Sequence, residues 1–274
     1  MNPHGEISNA KSGMNRIDGL FQKLRGAKKK AFIAFITAGY PDLETTEGLI
    51  REFEDRGVDL VELGVPFSDP IADGPIIQAS SYEALKKNTT LPAILRMVKR
   101  VRADVSMPLC LMSYYNPIFT YGEKRFISDA VLSGVDGIII PDLPPEEGVG
   151  LSRESSRAGL DTIFFLSPTT RADRVKTVVQ ASTGFIYYIS LTGVTGARRS
   201  LPRDIKAGVT EVKRFTHKPV CVGFGVSSPE QVKDIQRVAD GVIVGSAIVR
   251  VIRENAGKKD LIKTVGKFVA RLKG

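Results

Sequence analysis

Two carboxylates set close together in "VELGVPFSDPIADGP" (Val61 to Pro75) are the first candidates for chemistry. Glu62 sits inside an apolar run that reads as a buried strand, and Asp73 follows on a loop bounded by Pro66, Pro70, Gly74 and Pro75. An ionised carboxylate in an apolar interior is unfavourable unless it is paired, and burial alone raises its pKa. A raised pKa suits a group that gives and takes a proton near neutrality. The alternative for Glu62 is a salt bridge to a helix lysine or arginine. For Asp73 the alternative is turn chemistry, because Asp favours turns by bonding its own backbone. The prolines weigh toward a site, since a stiff loop holds a carboxylate in place with little loss of entropy.

Glycines mark a second kind of chemistry. "LTGVTGARRS", "GFGVSSP" and "GSAIVR" follow the last three strand-like runs and carry Gly196, Gly225 and Gly245, with Ser246 opening a helical pattern. Backbone amides of glycine loops and a helix N-terminus bind phosphate, whereas any one glycine alone is explained by a turn. Three such loops together predict a phosphorylated substrate, which the net charge of +9 would help to gather. Phe35, Tyr114, Tyr187 and Phe224 lie at strand ends and would line a flat apolar pocket, Tyr187 adding a hydroxyl. The two histidines, His4 and His217, fall in the N-terminal segment and just before a strand, so no histidine-based metal site is expected. No lysine lies within a strand run, which argues against a Schiff base. Carboxylate acid–base chemistry on a phosphorylated, partly apolar substrate remains.

These groups need a scaffold, and eight apolar runs supply it. They are Ala31 to Gly39, Leu60 to Pro66, Pro108 to Tyr115, Gly137 to Asp142, Thr162 to Pro168, Phe185 to Ser190, Pro219 to Gly225 and Gly241 to Ser246. They are continuous rather than alternating, as in parallel strands covered on both faces. Helical patterns separate them. In "SPEQVKDIQRVA", for instance, Ser228 caps, Pro229 takes the first turn and Gln231 completes a capping box. Eight strand–helix units without a linker predict a single-domain α/β fold, a (β/α)8 TIM barrel with extra helices over residues 16–274. A doubly wound open sheet is the alternative. "LPAILRMVKRVRADV" reads as an extra helix between strands two and three, its basic residues on a solvated outer face. In a barrel, Glu62 and Asp73 both reach the C-terminal face where sites are built.

Composition closes off other classes. A 42% hydrophobic and 25% charged chain of 274 residues is ordinary for a globular protein, and no apolar run is long enough for a membrane helix. Residues 1–15 read as a loosely ordered arm with no secretory signal. Basic residues are scattered and no nucleic-acid motif accompanies them. Cys110 and Cys221 lie in strand-like runs and read as reduced core thiols, which suggests a cytoplasmic protein.

"VELGVPFSDPIADGP", "LTGVTGAR", "GFGVSSPEQV" and "GSAIVRVI", in that order, resemble the signature segments of the tryptophan synthase alpha chain family, and the likeness runs from about Ile17 to the C-terminus. The resemblance implies a lyase that cleaves indole-3-glycerol phosphate to indole and glyceraldehyde 3-phosphate. It implies Glu62 as the acid–base group, Asp73 on the indole N–H, and Tyr187 near the reacting glycerol. Gly196, Gly225, Gly245 and Ser246 match the phosphate cup, and Phe35 and Phe224 match walls of the indole pocket. A β chain carrying pyridoxal phosphate is the implied partner in an αββα assembly, so no cofactor is expected in this chain. Loop two (Phe67 to Pro75) would serve both catalysis and that interface, and loop six (Leu191 to Pro202) would close as a lid. A free-standing indole-3-glycerol phosphate lyase and a non-catalytic, phosphate-ligand-binding barrel are the other readings.

Overall fold

The computed structural model describes residues 15–189, 203–223 and 225–274. The arm through residue 14, loop six with Gly196, and Phe224 lie outside the described residues. The strands are β1 (Ala31–Thr37), β2 (Leu60–Gly64), β3 (Leu109–Met112), β4 (Gly137–Ile139), β5 (Asp161–Ile163), β6 (Phe165–Leu166), β7 (Ile186–Ile189), β8 (Val220–Gly223) and β9 (Gly241–Val244). The helices before β3 are α1 (Arg16–Gly26), α2 (Leu43–Asp55), α3 (Pro75–Lys86) and α4 (Leu91–Val101). Between β3 and β7 come α5 (Tyr115–Tyr121), α6 (Glu123–Ser133), α7 (Val149–Arg157) and α8 (Ala172–Ala181). The last are α9 (Arg203–Phe215), α10 (Pro229–Gln236), α11 (Ser246–Asn255) and α12 (Leu261–Lys273).

Every strand pairing is parallel, in the order β5-β4-β3-β2-β1-β9-β8-β7-β6. The two ends of that order, β5 and β6, are halves of one run broken only at Phe164. The Tyr187 amide donates to the Phe164 carbonyl at 3.1 Å across the break, so the sheet closes on itself. An open doubly wound sheet would leave two unpaired edges, and here there are none to leave. The eight predicted runs are thus the eight staves of a (β/α)8 barrel, the fifth interrupted.

The strands are buried because side chains pack on both faces. All seven residues of β1 and all five of β2 are buried. Ile33, Leu60, Cys110, Ile139, Ile163 and Phe185 pack into an inner cluster, which Ile17, Phe21 and Leu24 of α1 close at the N-terminal end. Asn15 caps α1, accepting from the Ile17 amide at 2.9 Å while its own amide donates to the carbonyls of Asp136 and Gly159. The predicted capping box at Ser228 and Gln231 is present on α10.

Two expectations about "LPAILRMVKRVRADV" are corrected. α4 is a helix, but it is the outer-ring helix of that strand, packed between α2 and α6. Its buried Ile94, Leu95, Val98 and Val101 are the stripe of a ring helix. The added helix is α3, which packs on β1 and α11. Its buried positions include Ser80, Ser81 and Ala84, so hydrophobic periodicity did not mark it. Nor is every basic residue of the stretch solvated. Arg102 turns inward, its guanidinium pairing with the buried carboxylate of Asp136 and donating to the carbonyls of Gly134 and Met107.

Candidate active site

Glu62 points into the barrel from the middle of β2, in register with Phe35 of β1 and Cys110 of β3. It is fully buried, and neither carboxylate oxygen has a hydrogen-bond partner among the described residues. The salt-bridge alternative is therefore not realised among them. Burial pushes its carboxyl from 4.5 up to about 8. An unpaired buried carboxyl holds its proton because the charged form has lost its water and gained nothing in return. At neutral pH such a group is mostly protonated, with the proton available to whatever enters.

Asp73 stands beyond the C-terminal end of β2, on the turn leading into α3. Its amide donates to the Pro70 carbonyl at 3.0 Å, and Gln78 of α3 donates to its carbonyl at 2.9 Å. Pro75 begins α3 at the position where a missing amide hydrogen does no harm. Burial pushes the Asp73 carboxyl from 3.8 up to about 6, and a hydrogen bond from the Tyr114 hydroxyl draws it back down. At pH 7 it is mostly ionised. One strand and the loop that follows it thus carry a mostly protonated and a mostly ionised carboxyl, each set by its own surroundings.

Tyr187 comes in from β7 and is buried, packed on Phe165 at 4.7 Å between ring centroids. Burial raises its phenol well above the ordinary value, and the charges of Glu62 and Asp73 add to that rise. Glycines make the room. A Cβ on Gly223 would sit 2.8 Å from the Tyr187 hydroxyl, and one on Gly64 would sit 2.6 Å from Phe35 Cζ. On Gly245 it would lie 3.3 Å from Phe35 Cβ. The Phe35 ring therefore spans from the end of β2 to the start of α11, walling the space between Glu62 and the glycine loop.

Gly245 and Ser246 form the N-terminus of α11, with no side-chain cap. The amides of Ile248 and Val249 return to the Gly245 carbonyl, while those of Ser246 and Ala247 find no acceptor among the described residues. By contrast α10 is closed off, because Gln231 takes the amides of Ser227 and Ser228. Of these two helix ends the free one is that of α11, which can gather an anion by its amides and its dipole. Gly225 is exposed on the neighbouring loop. α11 packs on both β1 and α3, so the anion end, the Phe35 wall and the Asp73 loop form one packed unit. Gly196 and Phe224 are outside the described residues.

Tyr114 is not simply a wall. Its ring is buried against Phe67, with centroids 5.1 Å apart, and its hydroxyl accepts the Ala72 amide at 2.8 Å. Strand-end position alone could not distinguish that role from ring packing.

A further buried carboxylate escaped the sequence reading. Asp161, at the start of β5, is raised from 3.8 to about 7 by burial, and one of its oxygens has no partner. Its place decides its meaning: it sits at the N-terminal end of the barrel, beside Asp18 and Thr183, where stability rather than catalysis is built. Among the described residues no cluster of three or more acidic, histidine or cysteine side chains is arranged to hold a metal ion. Cys110 and Cys221 are buried free thiols flanking the interior near Glu62.

The family model described as tryptophan synthase alpha chain matches residues 21–273. A tryptophan synthase alpha chain from Geotalea daltonii is 54% identical over 246 residues, covering 90% of this chain and 93% of its own. Among solved structures, tryptophan synthase subunit alpha from Legionella pneumophila superposes with a TM-score of 0.88 at 39% identity, over 95% of this chain and 97% of that one. A chain from the tryptophan synthase α2β2 complex of Pyrococcus furiosus superposes with a TM-score of 0.84 at 39% identity, over 88% and 97%. With a carboxylate pair on β2 and its loop, an anion-ready helix end after β9, and this likeness over nearly its whole length, the chain belongs to the tryptophan synthase alpha chain family.

Proposed function

We propose that this chain is the alpha subunit of tryptophan synthase, a lyase that splits indole-3-glycerol phosphate into indole and glyceraldehyde 3-phosphate. The observation that carries the reading is the unpaired, fully buried carboxyl of Glu62 at the reacting end of the barrel. Cleavage needs a proton on indole C3 and loss of one from the hydroxyl on the adjoining carbon. Protonated Glu62 gives its proton to C3, which leaves the ring positively charged. As the bond from C3 to the glycerol carbon breaks, its electron pair restores the indole ring. The glycerol hydroxyl becomes the aldehyde carbonyl and its proton returns to Glu62, so the protons balance. Ionised Asp73 accepts from the indole N–H and stabilises the positive ring, an electrostatic effect strengthened by its dry surroundings.

In this reading Phe35, Tyr114 and Phe224 bound the indole ring and Tyr187 lies against the glycerol. Gly196, Gly225, Gly245 and Ser246 hold the phosphate. Loop six would serve as a lid. The partner is the β chain, in an αββα assembly, and it carries the pyridoxal phosphate that consumes the indole. Exposed Ile71 on loop two and Phe119 on α5, both beyond the C-terminal strand ends, favour a partner over that face. A cytoplasmic location goes with this role. Glu62→Gln should abolish indole formation while the fold and the binding of substrate persist. Full activity in that variant would sink the assignment.

A further inference from the structure

We propose that the N-terminal end of the barrel, opposite the catalytic face, carries a second anion site, a cavity between the end of α1 and the starts of β1 and β8 that takes a phosphate group. The cavity has a volume of about 290 Å³. Phe21, Leu24 and Pro219 give it an apolar side, and Arg25, Lys28, Lys29 and Lys30 give it four cations. Asp240 also lines it, but that carboxylate is already matched twice, by the Nζ of Lys30 and of Lys213, each at 3.0 Å. Arg25 donates to the neutral carbonyl of His217 at 3.1 Å and so keeps its charge uncompensated. Lys28 and Lys29 are exposed and pair with no carboxylate among the described residues. Asp18 and Asp161 line the adjoining hollow and not this one. Cations gathered on one concave surface repel one another until an anion joins them.

The chain makes an unfavourable backbone choice to keep one of these cations. At the end of α1 the amides of Ala27, Lys28 and Lys29 return to the carbonyls of Lys23, Arg25 and Leu24. That turn puts Lys28 in the left-handed region, at φ 55°. Glycine is the usual residue there, because a side chain brings Cβ against the following carbonyl. The other described positions of positive φ are glycines, apart from Asn88, and asparagine tolerates the region. Lysine has no such allowance. The helix dipole favours a cation at this end, but Lys23 and Arg25 already supply that in the last turn. Lys28 adds charge to the cavity instead. A guanidinium fork flanked by ammonium groups is the donor set that phosphate oxygens accept. An anion held there would tie the end of α1 to the barrel floor, and an anion bound only by the folded chain stabilises it by mass action.

The test is titration of inorganic phosphate, and separately of glycerol 3-phosphate, into the full-length wild type, Lys28→Gly and Lys29→Gln at constant ionic strength. Backbone amide shifts in NMR and Tm are the readouts. The wild type should show saturable shifts at residues 25–31, separate from any at the α11 end, and a Tm that climbs with phosphate. Lys29→Gln should weaken that binding by about tenfold or more, as expected for one lost hydrogen bond to a charged group. Lys28→Gly should weaken it similarly, yet raise Tm in phosphate-free buffer because glycine relaxes the left-handed turn. The ratio of the two affinities tells whether the occupant is free phosphate or a phosphate monoester. No saturable shift at residues 25–31, shifts confined to the α11 end, or wild-type affinity in both variants overturns the proposal and leaves these lysines as a solvated surface.

Discussion

Replacing Glu62 by Gln should strengthen the fold as it removes activity, and the gain should grow with pH. Burial raises this carboxyl from 4.5 to about 8, so the folded chain binds the proton more tightly than the unfolded chain does. Its contribution favours the native state fully below pH 4.5 and is lost as pH rises toward about 8. Each pH unit traversed above 4.5 removes about 1.4 kcal/mol, so by pH 7 the wild type has given up about 3 kcal/mol. That figure is an upper value, because water entering the ionised site relaxes it. A Gln amide carries its own desolvation penalty at every pH, so the informative quantity is the change in the gap between variant and wild type. The gap should be about 3 kcal/mol wider at pH 7 than at pH 4, or about 6 °C in Tm at ~2 °C per kcal/mol for a chain of this size. Urea or thermal unfolding of both proteins across that range reads it directly. A gap constant with pH, or one that turns against the variant as pH rises, would mean that Glu62 has a charged partner and that the reasoning from an unpaired carboxyl is wrong.

Three further outcomes are expected. The pH profile of kcat/KM should be bell-shaped, falling below about 6 as Asp73 takes up a proton and above about 8 as Glu62 loses one; a profile flat through both values would contradict the assigned roles. Gly64→Ala should cost about 1–3 kcal/mol by overpacking and raise KM, since the new methyl would fall 2.6 Å from the Phe35 ring; an unchanged KM would mean that Phe35 does not bound the substrate. Arg102→Met should destabilise by about 1.5–3 kcal/mol, because the buried Asp136 carboxylate loses its buried guanidinium partner and keeps only Arg16 and the Leu109 amide; a change near zero in urea unfolding would return Arg102 to the solvated face expected from its helix pattern.

The staves of the barrel were legible because parallel strands buried on both faces leave continuous apolar runs. β1, the longest such run, emerged with every residue buried. Glu62 was legible for the complementary reason, a charge where the pattern allows none. Asp73 was legible only through the prolines around it. What escaped was carried by contacts that leave no periodic trace. α3 buries serines against β1, with the Ser80 and Thr37 hydroxyls 2.6 Å apart, so no apolar stripe announces it. Arg102 has the sequence context of a surface residue and is drawn inward by Asp136, which lies thirty-four positions away. The phenol of Tyr114 looked like ring packing until its partners on loop two were in view.

If this chain cleaves indole-3-glycerol phosphate on behalf of a partner, its turnover must depend on that partner. Indole release from that substrate, measured for the wild-type chain alone and then with a tryptophan synthase β chain, tests it most directly. Slow release by the chain alone and much faster release in the complex are expected. No indole in either condition would contradict it, and equal turnover in both would point to a free-standing lyase instead.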